Sequence, residues 1–131
     1  MILNLTDLSD EPLQSQISRQ IRAKILAGEL TAGSDIPSIR KLAREQKVSV
    51  ITVQRAYESL ERQNLIHSRR GKGFFVSELS ENTKREMAKQ RLQEMMQSPV
   101  VSALAEGLSR DEIYEIVNRL LEENGEPNKG A

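Results

Sequence analysis

Basic, amide and hydroxyl side chains are concentrated in the middle of the chain. Between Arg40 and Lys72, nine Lys or Arg residues stand against three acidic residues, a local net charge of +6. Guanidinium and ammonium groups bind phosphates, and Arg and Gln can also pair with the major-groove edges of guanine and adenine. This composition therefore favours a surface that binds a nucleic-acid backbone over one that transforms a small substrate.

The residue types needed for catalysis or metal binding are scarce. The chain has no Cys and a single His, His67, which excludes a disulfide framework, a thiolate nucleophile and a cysteine-based zinc site. It contains no P-loop, no dinucleotide-binding glycine motif and no recognisable nucleophile motif. We therefore predict that the protein is not an enzyme and uses no metal or cofactor.

The charge of the whole chain conceals an asymmetry between its halves. The 131 residues carry no net charge, but residues 1–76 sum to +4 and residues 77–131 to −4. Four aromatic residues are too few for a platform that stacks single-stranded bases. No stretch approaches the about 18 apolar residues of a membrane span, and no signal peptide is recognisable, so we expect a cytoplasmic protein.

Three helices are predicted before residue 64. The first begins near Pro12 and ends near Ala27, with apolar residues at every fourth position. Ser38 and Ser49 are suitable N-caps for helices that end near Gln46 and Gln63. Two short helices joined by a tight turn form a helix-turn-helix.

The periodicity changes after the third helix. Leu65-Ile66 and Phe75-Val76 would anchor two strands around a basic turn that contains two glycines, residues 69–73. A helix-turn-helix followed by such a hairpin is a winged helix. The predicted fold is therefore mainly α with a small β-hairpin, with the DNA-binding domain in residues 1–78. The segment before Pro37 reads as a turn or a short extended piece.

Residues 79–124 are predicted to be helical. One helix would run from Ser80 to about Gln97, Ser98-Pro99 would interrupt it, and Ser109 would cap a last helix through Glu123; residues 125–131 are expected to be disordered. Two helices with apolar stripes and no third layer cannot bury those stripes alone, so we expect a homodimer. Packing against the winged helix of the same chain is the alternative. The expected dimerisation residues are Met87, Leu92, Met95, Met96, Leu104, Ile113, Ile116, Val117 and Leu120.

Residues 12–76 resemble the GntR family of bacterial transcription regulators. The shared patterns are G-x-L-x-x-G, I-P-S-x-R-x-L-A, T-V-x-R-A-Y-x-x-L and R-x-G-x-G-x-F-V. The resemblance implies a DNA-binding regulator with its third helix in the major groove and its wing on the backbone. The expected DNA contacts are Ser38, Arg40, Lys41, Ser49, Val50, Thr52, Gln54, Arg55, Arg69, Arg70, Gly71, Lys72 and Gly73.

The sequence also departs from the family pattern. Val50-Ile51 stands where many members have Arg or Pro-Asn, Ile39 where many have Glu, and Phe74 where Thr is usual. These changes leave the operator sequence open. About 50 residues follow the wing, too few for the usual effector domains, so the chain is similar to the short YtrA-like subfamily. That likeness implies a dimeric repressor of a transporter operon, and a two-fold dimer would bind a palindromic operator. Whether a small-molecule effector exists is left open.

Other interpretations of the same residues remain open at this stage. Arg55 and Arg62 could pair with Glu58 and Glu61 on the third helix instead of binding phosphate. The winged helix could also serve as a protein-interaction adaptor that binds no DNA.

Overall fold

Five helices and three short strands make up residues 1–125, the part of the chain that the computed structural model describes. In chain order they are α1 (Leu13–Leu26), β1 (Asp35–Ile36), α2 (Ile39–Gln46), α3 (Val50–Arg62), β2 (Ile66–Arg69), β3 (Gly73–Val76), α4 (Glu81–Ala105) and α5 (Arg110–Asn124). They form two compact units that divide between Arg85 and Glu86, inside α4. The rest of the expected disordered tail, residues 126–131, lies outside the described residues.

The first unit is built on the packing of α1 and α2 against α3. The predicted stripe of α1 is buried, with Ile17, Ile21 and Ile25 at most 1% exposed. It meets the apolar face of α3, on which Val53 and Leu60 are fully buried. These residues recur at helical spacing, so burying one face orients the whole helix and leaves the opposite face to solvent.

Residues before α1 are held in place by two glutamines. Gln16, only 2% exposed, donates from Nε2 to the carbonyls of Thr6 and Glu11 at 2.8 Å each, and its Oε1 accepts the Thr6 N–H at 3.0 Å. Gln20 makes the same kind of pair with the backbone of Asn4. Each side-chain amide satisfies backbone groups that would otherwise be unpaired.

The predicted hairpin is confirmed, and a third strand joins it. Strands β2 and β3 are antiparallel, with Ile66 opposite Val76 and Arg69 opposite Gly73. Strand β1 pairs with the other edge of β3, giving the order β1-β3-β2. The segment before Pro37 is therefore extended and belongs to the sheet.

The second unit is helical throughout, and one prediction about it is wrong. Helix α4 continues through Ser98-Pro99 to Ala105. Pro99 has no N–H and removes one backbone hydrogen bond, to the carbonyl of Met95. Met95 is 61% exposed, so this turn of the helix lies at the surface of the described chain.

Helix α5 begins where the sequence indicates. The Ser109 side chain accepts the Glu112 N–H at 3.1 Å, and the Glu112 carboxylate accepts the Ser109 N–H at 2.8 Å. This reciprocal capping box satisfies two N–H groups at the helix start. None of the described helices is long and apolar enough to cross a membrane.

Candidate nucleic-acid interface

The starts of α2 and α3 are both fixed by local hydrogen bonds from serine side chains. The Ser38 hydroxyl accepts the Lys41 N–H at 3.1 Å, and the Ser49 hydroxyl accepts the Thr52 N–H at 3.1 Å. Both predicted N-caps are therefore confirmed. Between them, Lys47 ends α2 in the left-handed conformation, with φ of 57°. This single residue reverses the chain and sets the angle at which α3 leaves the turn.

The first turns of α3 present an exposed face. Val50 is 46% and Ile51 52% exposed, and Gln54 and Arg55 are exposed beside them, while Thr52 is half-buried. Positions three or four apart on a helix are neighbours, so these side chains form one continuous surface. We call the four exposed residues, Val50, Ile51, Gln54 and Arg55, the recognition face.

The basic side chains around this face have no acidic partners. None of the nine Lys or Arg residues between Arg40 and Lys72 forms an ion pair within residues 1–125, whereas Arg19 pairs with Glu11 and Arg119 with Glu115. The alternative that Arg55 and Arg62 serve as ion-pair residues on α3 is therefore wrong. Arg40, Lys41 and Arg55 are exposed and available to an external anion.

The wing places further cations at the tip of the hairpin. The Lys72 N–H donates to the Arg69 carbonyl at 2.9 Å, and Gly71 and Gly73 have φ of 72° and 102°, which favour glycine. Arg70 and Lys72 are exposed at this turn. The Arg69 guanidinium lies 4.6 Å from the centre of the Phe75 ring, which holds it by a cation–π contact.

Tyr57 ties the recognition helix to both neighbouring elements. Its hydroxyl donates to the Pro37 carbonyl at 2.7 Å, directly before the cap of α2. Its ring meets Phe74 of β3 edge to face, with the ring centres 5.0 Å apart. Burial, with a smaller contribution from Glu45, raises the pKa of Tyr57, so the hydroxyl stays protonated and donating. The sequence signal for this role is a hydroxyl on the buried stripe of α3, because a buried hydroxyl needs a hydrogen-bond partner.

The apolar residues of the second unit are not buried within the described chain. Neither α4 nor α5 has a buried residue. Exposure reaches 59% at Leu92, 51% at Leu104, 42% at Ile116 and 52% at Leu120. The remaining expected dimerisation residues apart from Met95 are half-buried: Met87, Met96, Ile113 and Val117.

An uncharged groove runs between the C-terminal half of α4 and α5. Met96 and Val100 line it from α4, and Ile113, Val117 and Leu120 from α5. Within residues 1–125, no cluster of His, Asp or Glu could hold a metal ion.

The first unit has the geometry of a winged helix-turn-helix DNA-binding domain. A capped helix-turn-helix exposes the start of its second helix, a basic hairpin follows, and the cations on both are unpaired. This class of protein recognises duplex DNA with the second helix in the major groove.

Comparison with known proteins places the chain in a family of this class. Residues 13–76 match the model of the bacterial regulatory proteins of the gntR family. The chain is similar to the HTH-type transcriptional repressor YtrA of Bacillus subtilis, with 27% identity over 91% of this chain and 92% of that protein. It also resembles the structure of YtrA from Sulfolobus acidocaldarius, a GntR-family transcription factor, with 31% identity, a TM-score of 0.56 and coverage of 92% and 97%.

The chain therefore belongs to the GntR family and is a DNA-binding transcription regulator of the short, YtrA-like kind. The AraR DNA-binding domain, in its complex with the operator ORX1, resembles this chain over the winged helix alone. That similarity has a TM-score of 0.51 and 30% identity over 57% of this chain and 93% of the AraR domain.

Proposed function

We propose that the protein is a homodimeric repressor that binds a palindromic operator. The observation that carries this proposal is the recognition face together with the unpaired cations that flank it. A surface of exposed, unpaired guanidinium and ammonium groups costs self-repulsion in the free protein and is compensated when phosphates neutralise it. Duplex DNA supplies phosphates on both sides of the major groove.

The proposed contacts follow from where each side chain lies. Helix α3 enters the major groove, where Gln54 pairs with an adenine edge and Arg55 with guanine or a phosphate. Arg40 and Lys41, in the first turn of α2, bind a flanking phosphate, assisted by the start of that helix. The wing residues 69–73 follow the backbone, where the glycines let the main chain approach closely.

The second unit supplies the dimer contact in this proposal. Its helices expose Leu, Met and Ile side chains and leave the uncharged groove open to solvent. Large exposed apolar surfaces mark interaction sites. A second copy of the same unit offers matching apolar residues, and a two-fold dimer would present two recognition helices to two symmetric half-sites. Such a dimer requires a palindromic operator.

Two relatives support the assignment of repressor and operator. One YtrA relative is named a transcriptional repressor, and AraR is seen on operator DNA. By extension from the YtrA-like kind, we propose a transporter operon as the target, with an effector still to be identified. Mapping the selected operator onto the host genome would test the choice of operon.

Selection of DNA fragments by the purified full chain provides the test. We expect an enriched palindrome, bound by two chains, with an affinity that falls steeply as salt rises because neutralised phosphates release counterions. Arg55→Ala and Arg69→Ala should each weaken binding, while Arg119→Ala, which removes an ion-paired arginine of the second unit, should not. Failure to enrich any sequence, or affinity independent of salt, would contradict the proposal.

A further inference from the structure

The recognition face carries two apolar side chains that the fold itself does not use. Val50 and Ile51 are the first two residues of α3 and are 46% and 52% exposed. The side of α3 that packs into the core is formed by other residues, among them Val53 and Leu60, which are fully buried. Substituting Val50 and Ile51 with polar residues would therefore remove few packing contacts from the winged helix.

Their neighbours on the helix surface are polar and suited to base edges. Val50 is one turn before Gln54, and Ile51 is one turn before Arg55, so each apolar side chain adjoins a hydrogen-bonding one. Among the major-groove edges, only thymine presents an apolar group, its 5-methyl, next to a hydrogen-bond acceptor. The apolar half of the recognition face, Val50 and Ile51, therefore suits the methyl group of thymine. The polar half, Gln54 and Arg55, suits the edge of a neighbouring adenine or guanine.

We infer that Val50 and Ile51 select thymine at one or two positions of each operator half-site by packing against its 5-methyl group. This inference rests on the proposed DNA-binding function and specifies what the recognition face reads. Both side chains are β-branched and hold one preferred rotamer in a helix, so their methyl groups meet the DNA already ordered.

Replacing operator thymines one at a time with deoxyuridine provides the test, because this change removes only the methyl group. Affinity is measured by fluorescence anisotropy with the full-length chain on the operator selected above. Burying one methyl group contributes enough for an affinity change of about fourfold. We expect a loss of that size at one or two thymines of each half-site and no loss at the others.

The protein side of the test uses variants that keep the shape of the helix. Val50→Ser and Ile51→Ser remove every methyl group from the two side chains and leave a small hydroxyl at each position. In the double variant, deoxyuridine at the sensitive positions should no longer matter. Leu8→Ser is the matched control, since Leu8 is 96% exposed in the same unit, and it should retain the full sensitivity to deoxyuridine.

Three outcomes would overturn the inference. They are insensitivity to every deoxyuridine substitution, a sensitivity that persists unchanged in the double variant, and an operator without thymine at positions protected by α3. If the chain still binds its selected operator with a steep salt dependence in any of these cases, the proposed function stands and only the thymine reading fails. If the chain binds no DNA at all, both fail together.

Discussion

The winged helix buries its apolar side chains within one chain, whereas the two helices that follow leave theirs exposed. Fourteen apolar residues between Leu3 and Val76 are at most 8% exposed, but no residue of α4 or α5 is buried. Burial contributes about 25 cal/mol per Å² of apolar surface removed from water. The first unit obtains this contribution by itself. In the second, the half-buried residues Met96, Ile113 and Val117 obtain part of it, and the exposed residues would obtain the rest from the second copy that we propose.

Charged residues show the opposite contrast. In the second unit, Lys89 pairs with Glu86 and Arg119 with Glu115, while the cations between Arg40 and Lys72 are unpaired. The segment from Arg40 to Lys72 therefore presents a cluster of unpaired cations on the first unit, whereas α4 and α5 carry most of the exposed apolar side chains of the described residues. This difference is expected for the two partners that we propose, DNA for the first unit and a second copy of the chain for the second.

The largest expected effect comes from comparing the same substitution at two leucines, one in each unit. Leu60→Ala in the first unit should lower the free energy of unfolding by about 2–5 kcal/mol, because Leu60 is fully buried. Leu120→Ala, at a 52% exposed position, should leave the stability of the winged helix unchanged and weaken self-association. Hydrogen exchange of α1–α3 and sedimentation velocity measure the two effects. Equal losses of winged-helix stability would contradict the distinction.

The next test concerns the hydroxyl that links α3 to α2. Tyr57→Phe should cost about 1–3 kcal/mol, because the Pro37 carbonyl loses its buried donor. The exposed Tyr114 offers a matched change in the second unit, and Tyr114→Phe should stay within about 0.5 kcal/mol. Urea denaturation of both variants measures the change in the free energy of unfolding. Similar changes for the two would show that the hydrogen bond from Tyr57 to Pro37 adds no stability.

Tyr57 also predicts a dependence on pH. Its folded pKa is raised by burial above the unfolded value of 10.0, so folding favours the protonated phenol. The resulting stability is fully present below pH 10 and is lost as pH rises above it. Urea denaturation on either side of pH 10 should show the wild-type stability falling above pH 10, with a smaller fall in Tyr57→Phe. Parallel curves would refute the assignment.

Helix caps provide a smaller test. Ser49→Ala and Ser109→Ala each remove a side-chain acceptor at a helix start, worth about 1 kcal/mol. We expect the first to lower the unfolding free energy of the winged helix and the second to weaken self-association instead. Denaturation and sedimentation distinguish them, and a Ser109→Ala variant that destabilises α1–α3 would argue against separate units.

The smallest effect is expected from single lysines. Lys41→Ala should weaken operator binding modestly on all sequences and reduce the slope of log affinity against log salt by about 1, the signature of one lost phosphate contact. Lys89→Ala, in the second unit, should leave that slope unchanged. Titrations at several salt concentrations provide the measurement; identical slopes for the two variants would remove Lys41 from the interface.

Much of the first unit could be predicted because its signals are local. Ser38 and Ser49 mark helix starts that the structure confirms, and the glycines of residues 69–73 mark the wing. The two-residue strand β1 could not be predicted, because it is too short to show a period and its partner β3 lies about 40 residues away in the sequence.

The second unit and the N-terminal segment were less predictable for physical reasons. The continuity of α4 through Pro99 was not predicted, because a proline inside a helix removes a hydrogen bond and its ring crowds the preceding turn, so the sequence favours an interruption there. The burial of Gln16 was not predicted, because a polar side chain in a helix is expected to be exposed. Its burial depends on the backbone carbonyls of Thr6 and Glu11, which the sequence alone does not place beside it. For the DNA-contact residues, the structure gives placement and exposure.

Counting chains on the operator tests the central claim most directly. Analytical ultracentrifugation of the full chain with a fluorescent operator measures the mass of the complex and its salt dependence together. We expect two chains per palindromic operator, and we expect Leu120→Glu to reduce the complex to one weakly bound chain per operator. One chain per operator in the wild type, or a two-chain complex unaffected by Leu120→Glu, would contradict it.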